Sequence, residues 1–107
     1  MDGFQLTFFT QQDRRHNGLP LAQWLLEEAR RQKIRGATLL AASEGFGHSG
    51  RIHASRFFEL ADQPQEVTMV VTAEEAERFF TCLRNARVHL FYVKTPIEFG
   101  MIGEEPG

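Results

Sequence analysis

The sequence predicts an α+β domain made of two similar βαβ halves. Alternating apolar residues mark short strands, and apolar residues at helical spacing mark two helices. These elements follow in the order β-α-β-loop-β-α-β within 107 residues.

Phe4 to Thr10 alternates Phe4, Leu6 and Phe8 against Gln5, Thr7 and Phe9, which is strand periodicity. The polar run Gln11 to Gly18 reads as a loop. Pro20 suits the first turn of a helix, where its missing N–H costs little. Leu21, Trp24, Leu25 and Ala29 then form one apolar stripe. Arg30, Arg31 and Lys33 complement the helix dipole at its C-terminus, and Gly36 is placed to end the helix. Ala37 to Ser43 is a strand of small and apolar residues. A long loop follows, over about residues 45–65. Glu66 to Thr72 is the third strand. Thr72 and Glu75 make a Thr-x-x-Glu capping box opening a second helix, whose stripe is Ala76, Phe79, Phe80 and Leu83. Val88 to Lys94 is the fourth strand, and Thr95-Pro96 breaks it.

Two βαβ halves of this size describe the ferredoxin-like fold, βαββαβ. Right-handed crossovers place both helices on one face of a four-stranded antiparallel sheet. Phe9, Val70, Phe91 and Val93 then cannot all face the helices with their strand neighbours. An apolar second face without helices to cover it predicts oligomerisation.

The chain length predicts one domain, residues 1–107. A net charge of −2 argues against nucleic acid as the main partner, because phosphate binding needs concentrated Lys and Arg. No apolar run approaches the roughly 20 residues that span a bilayer, so the chain is not expected to be membrane-embedded. Met1 to Gln5 has no basic segment followed by an apolar core, so no signal peptide is expected. The single cysteine, Cys82, excludes an internal disulfide and fits a cytoplasmic protein.

Function is expected in the loop, because loops beyond about 12–15 residues are uncommon in compact domains without a role. Gly45, Gly47 and Gly50 flank Phe46 there, and Gly45-Phe46-Gly47 reads as a hinge and ligand-facing turn or as a structural turn. His48 and His53 are candidate metal ligands, with His16 or Glu44 as a third group, although the spacing matches no known zinc motif. Arg51, Arg84, Arg87 and Lys94 are candidates for a phosphate or carboxylate site, or else are solvated charges. His16, beside Arg14 and Arg15, sits where it could help bind an anion or simply bond to backbone. Cys82 reads as a small, partly buried residue rather than a nucleophile. There is no nucleophile elbow, no phosphate loop and no defined carboxylate pair, so the chain is not expected to be an enzyme.

Four fragments carry a family resemblance: His16-Asn17-Gly18-Leu19-Pro20-Leu21, Gly36-Ala37-Thr38, Glu44-Gly45-Phe46-Gly47 and Gly50-Arg51-Ile52-His53. In this order and spacing the chain resembles the PII-like family catalogued as domain of unknown function 190, over about residues 4–94. The resemblance implies a ferredoxin-like subunit assembled as a homotrimer. The loop would correspond to the mobile T-loop of PII signalling proteins. It also implies small ligands, often adenine nucleotides, in clefts between subunits, and a membrane transporter or an enzyme as the loop's target. One departure concerns the ligand. PII proteins place a glycine-rich segment with a lysine after the second helix. Here that segment is Leu83-Arg84-Asn85-Ala86-Arg87-Val88-His89, without glycine. Weaker nucleotide binding, or a different small anion, is expected. The only tyrosine, Tyr92, lies outside the loop, so tyrosine uridylylation is not expected.

The resulting expectation is a regulatory protein that binds a small, anionic ligand at intersubunit clefts. The residues are Gly45, Phe46, Gly47, Arg51, Arg87 and Lys94, and the loop is presented to a partner. The alternatives are a divalent-metal-binding protein resembling the divalent-cation-tolerance family, using His48 and His53, and a small ferredoxin-like enzyme.

Overall fold

The computed structural model describes residues 1–41, 44–46, 52–54 and 63–104. Four strands build the main sheet: β1 (Asp2–Gln11), β4 (Ala37–Ala41), β7 (Pro64–Val71) and β8 (Phe91–Glu98). Their spatial order is β4-β7-β1-β8 and every pairing is antiparallel. Two helices, α1 (Leu21–Arg31) and α2 (Ala73–Asn85), cover one face. The expected four-stranded antiparallel sheet with two helices is therefore present.

The strand period explains which face they cover. Leu6 and Phe8 of β1 lie opposite Met69 and Val67 of β7, and all four are buried against the helices. Leu25 and Ala29 of α1 and Ala76, Phe79 and Leu83 of α2 complete this core. The rings of Phe8 and Phe79 stand 5.6 Å apart.

The opposite face follows from the same register. Phe9 pairs with Phe91, Thr7 with Val93 and Thr68, and Gln5 with Val70. The rings of Phe9 and Phe91 meet at a tilt with centroids 5.6 Å apart, yet Phe91 stays 65% exposed and Val93 43%. The four residues expected on a second face do lie there, and no described helix covers them.

Several boundaries differ from expectation, each for a local reason. The polar run after β1 is not all loop. It forms a tight hairpin, β2 (Arg15–His16) against β3 (Leu19–Pro20). Asn17 and Gly18 make its turn at φ 51° and 80°, the left-handed pair that a two-residue hairpin requires. Pro20 is consequently the N-cap of α1 rather than a first-turn residue. Gly36 does not end α1. Lys33, at φ 60°, lets Ile34 N–H reach Ala29 O and its own N–H reach Arg30 O, which closes the helix three residues earlier. The second helix ends the same way around Arg87 at φ 59°, with Val88 N–H on Leu83 O. That closure consumes Val88, so β8 starts at Phe91, not Val88. Thr95-Pro96 does not break β8 either. The strand continues to Glu98 because it is an edge strand, and Pro96 sits where no ladder N–H is needed. β7 begins at Pro64, ahead of the expected Glu66, and Thr72 is the cap of α2, not a strand residue. The expected strand end at Ser43 lies outside the described residues. Within the expected loop, β5 (Glu44–Phe46) pairs with β6 (Ile52–Ala54).

Candidate functional site

The register places the base of the loop and the end of α2 at one end of the sheet. Ala41, the last described residue of β4 before the loop, lies opposite Gln65, and Gln65 lies opposite Thr10. Gln12 N–H donates to Gln63 O at 3.0 Å, tying the loop's return to the turn after β1. Helix α2 starts beside the other end, after Val71, and its 13 residues carry the chain about 20 Å toward the loop. Arg87 therefore stands at the loop end. The guanidinium of Arg14 confirms the proximity: its Nη2 donates to His89 O at 2.7 Å.

Lys94 points elsewhere. It pairs with Leu6 and its ammonium lies 4.2 Å from the centroid of Phe4 and 6.0 Å from that of Phe80. Phe4 and Gln11 are separated by about 23 Å at about 3.3 Å per strand residue. Within one subunit Arg87 and Lys94 are not neighbours. An open cleft of about 500 Å³ also lies at that far end, lined by Gly3, Phe4, Ala73, Pro96 and Ile97 between Asp2 and Glu98. None of the residues predicted from sequence lines it.

Of the loop candidates, Gly45 and Phe46 lie in β5, where Gly45 pairs with His53 and Phe46 with Ile52, while Glu44 pairs with Ala54. The ladder brings the backbone of Gly45 to that of His53. Gly47, His48 and Arg51 lie outside the described residues. His16 is in the hairpin, its ring edge-on to Trp24 with centroids 4.5 Å apart. Among the described residues no group of three His, Cys, Asp or Glu gathers. Arg84 is exposed in the last turn of α2. The ion pairs among the described residues are Arg31–Glu28 and Arg35–Glu75, so Arg14, Arg84 and Arg87 join none.

Cys82 is chemically quiet. Burial pushes its thiol up to about 11, and the Glu28 carboxylate that accepts its S–H at 2.9 Å adds to the shift. A protonated thiol at neutral pH is a poor nucleophile. Glu28 itself is held down to about 2 by the Arg31 guanidinium, against its burial, with Cys82 and Gln32 also donating. The cluster clamps α1 to α2.

Two buried polar atoms at the loop end have no such partners. Among the described residues Thr10 Oγ1 and Gln65 Oε1 find no hydrogen-bond partner, although Thr10 is only 7% exposed. Sequence reading missed both. Each looks like an ordinary strand residue until the register sets them side by side.

Sheet order, helix placement and the long excursion between β4 and β7 together define a PII-like form of the ferredoxin-like fold. The chain belongs to the family of domain of unknown function 190, described as "Uncharacterized ACR", whose model matches residues 3–98. It is 31% identical over 75 residues to a UPF0166 protein of Aquifex aeolicus (strain VF5), which spans 70% of this chain and 71% of that protein. Among solved structures it is similar to a protein described as PII-like signaling from Thermus thermophilus. That match has a TM-score of 0.66 at 18% identity, over 91% of this chain and 88% of the other. It is also similar to CPII, a nitrogen regulatory PII-like protein from Thiomonas intermedia K12 bound to ADP, AMP and bicarbonate. There the TM-score is 0.66 at 13% identity, over 94% and 97% of the two chains. A further CPII structure, bound to ADP, AMP and acetate, matches with a TM-score of 0.63 at 15% identity, over 94% and 90%. These structural likenesses establish the fold. No described helix is long and apolar enough to cross a membrane.

Proposed function

We propose that this chain is the subunit of a homotrimeric PII-like regulatory protein that binds a small, anionic ligand in clefts between subunits. The segment between β4 and β7 responds to the ligand and is presented to a partner, a membrane transporter or an enzyme, in the cytoplasm. The reading assigns no catalytic step to the chain.

One observation carries the reading. The loop base, Arg87 and the uncovered Phe9–Phe91 pair share one end of the sheet. Covering the apolar face with neighbouring copies would turn that end into an intersubunit cleft. In it, Gly45, Phe46, Gly47 and Arg51 of one subunit would meet Arg87, with Lys94 supplied by a neighbour. Arginine suits such a site because its planar fork can bond two oxygens of a phosphate or carboxylate. The anions bound by CPII, ADP, AMP, bicarbonate and acetate, give the panel to test.

Light scattering should return about three times the 12.3 kDa subunit mass. Calorimetry with that panel should find at least one ligand, with adenine nucleotides bound less tightly than the glycine-rich cradle of PII proteins would allow. A stable monomer that binds none of them would overturn the reading.

A further inference from the structure

Asp2, Glu66, Lys94 and Glu98 are the charged residues of the four main strands. The register divides them unequally. Asp2 lies opposite Glu98, and Lys94 lies opposite Leu6. Those three share the strand period of Leu6 and Phe8, the helix side of the sheet. Among the residues of these strands, Glu66 is the one charge on the face the helices leave uncovered. Its row crosses all four strands as Leu40, Glu66, Phe9 and Phe91. The next rows of that face are neutral: Thr38, Thr68, Thr7 and Val93, then Val70, Gln5 and Thr95. The Thr7 and Thr68 hydroxyls even satisfy each other at 3.3 Å. Residues directly opposite hold their β-carbons about 5 Å apart, so Glu66 is set between the side chains of Leu40 and Phe9. The two ends of the row, Leu40 and Phe91, are 55% and 65% exposed. Glu66 itself is half-buried and joins no ion pair among the described residues.

We infer that Glu66 is the charge that limits how tightly copies of this chain associate through the uncovered face. The inference deepens the proposed function and rests on its reading that neighbouring copies cover this face. The apolar ends of the row favour association. The carboxylate between them opposes it. Covering the face takes that carboxylate out of water, and an ionised carboxylate among apolar side chains is costly unless a cation comes with it. Copies that meet through this same surface bring further Glu66 carboxylates and no cation, and like charges oppose each other. Such a charge also selects the partner. An apolar surface of another protein that offers Glu66 no donor leaves it buried and unpaired.

The test separates charge from shape. Wild type, Glu66→Gln and Glu77→Gln are dissociated by dilution in graded urea, with the mass followed by light scattering. Circular dichroism checks that each variant keeps the subunit fold. Glutamine preserves the outline of the side chain and removes its charge. Glu77→Gln makes the same change at an exposed position of α2. The inference predicts that Glu66→Gln lowers the dissociation constant of the assembly about tenfold or more, so that it survives to higher urea. Glu77→Gln should stay within about twofold of wild type. An unchanged or weaker assembly in Glu66→Gln overturns the inference and leaves the homotrimer standing, because the carboxylate then lies outside the interface or finds a cation in it. If wild type and Glu66→Gln both stay monomeric, the proposed assembly falls and the inference with it.

Discussion

The two ends of the sheet are built on opposite terms. At the end where β1 begins, polar groups find partners within the chain. Met1 and Phe99 exchange hydrogen bonds at 2.9 and 3.0 Å. Thr72 and Glu75 cap α2 reciprocally, and Arg35 pairs with Glu75 at 3.0 Å. Lys94 lies over Phe4. At the loop end, Thr10 and Gln65 hold buried oxygens without partners, Arg14 rests on a carbonyl, and Arg87 occupies a left-handed conformation that favours glycine. The contrast is one of degree: Lys33, at φ 60°, and the unpartnered Gln32 Oε1 follow α1 on the way to the first end. The comparison sets the end whose hydrogen bonds secure the fold against the end proposed to bind the ligand.

Substitution at the securing end should have the largest effect on stability. A Cβ on Gly3 would collide with Val71 O and fall 2.8 Å from the Phe99 ring. Because the closer contact is backbone, the sheet itself must shift. Gly3→Ala should cost about 3 kcal/mol in denaturant unfolding. A loss below about 1 kcal/mol would show that the strands at this end yield more easily than their hydrogen bonds imply.

Between the ends, Glu28 gives the contrast to Thr10: a buried polar group with several donors. Its carboxyl ionises at about 2 in the fold against an ordinary 4.5. A depressed acid contributes stability that is fully present above about pH 4.5 and is lost as pH falls through about 2. Glu28→Gln should cost about 1–2 kcal/mol at neutral pH, as charge-assisted bonds become neutral ones. It should also flatten the acid limb of stability between those values. An unchanged acid limb would mean that the clamp between α1 and α2 contributes nothing.

At the loop end the expected sign reverses. Arg87→Gly relieves a left-handed backbone and should stabilise the chain by about 0.5–1 kcal/mol, after glycine's own entropic cost. It should also weaken the anion, which tests the division between the ends in one variant. Tighter binding together with lower stability would contradict it.

Much of the fold was legible because it depends on local periodicity. Leu6 and Phe8, the stripe of α1 and the Thr72–Glu75 box each declare their element within a few residues. The Asn17-Gly18 hairpin is equally declared by its turn pair, but it lies inside a polar run with the pattern of a loop. What escaped was either tertiary or contrary to propensity. Lys33 and Arg87 end helices where glycine is the usual signal. Pro96 is harmless only because β8 is an edge. The opposition of Thr10 to Gln65, and the direction of Lys94 toward Phe4, exist only once strand register is known. The candidate site was legible as a region, through the long loop and the arginines around it.

Amide hydrogen exchange of the wild-type protein, with and without ADP and bicarbonate, tests the division most directly. Binding should slow exchange at residues 10–14, 63–66 and 84–89, while residues 2–6, 73–76 and 94–99 keep the rates of the free protein. Protection confined to residues 2–6, 73–76 and 94–99 would place the ligand in the opposite cleft and contradict the account.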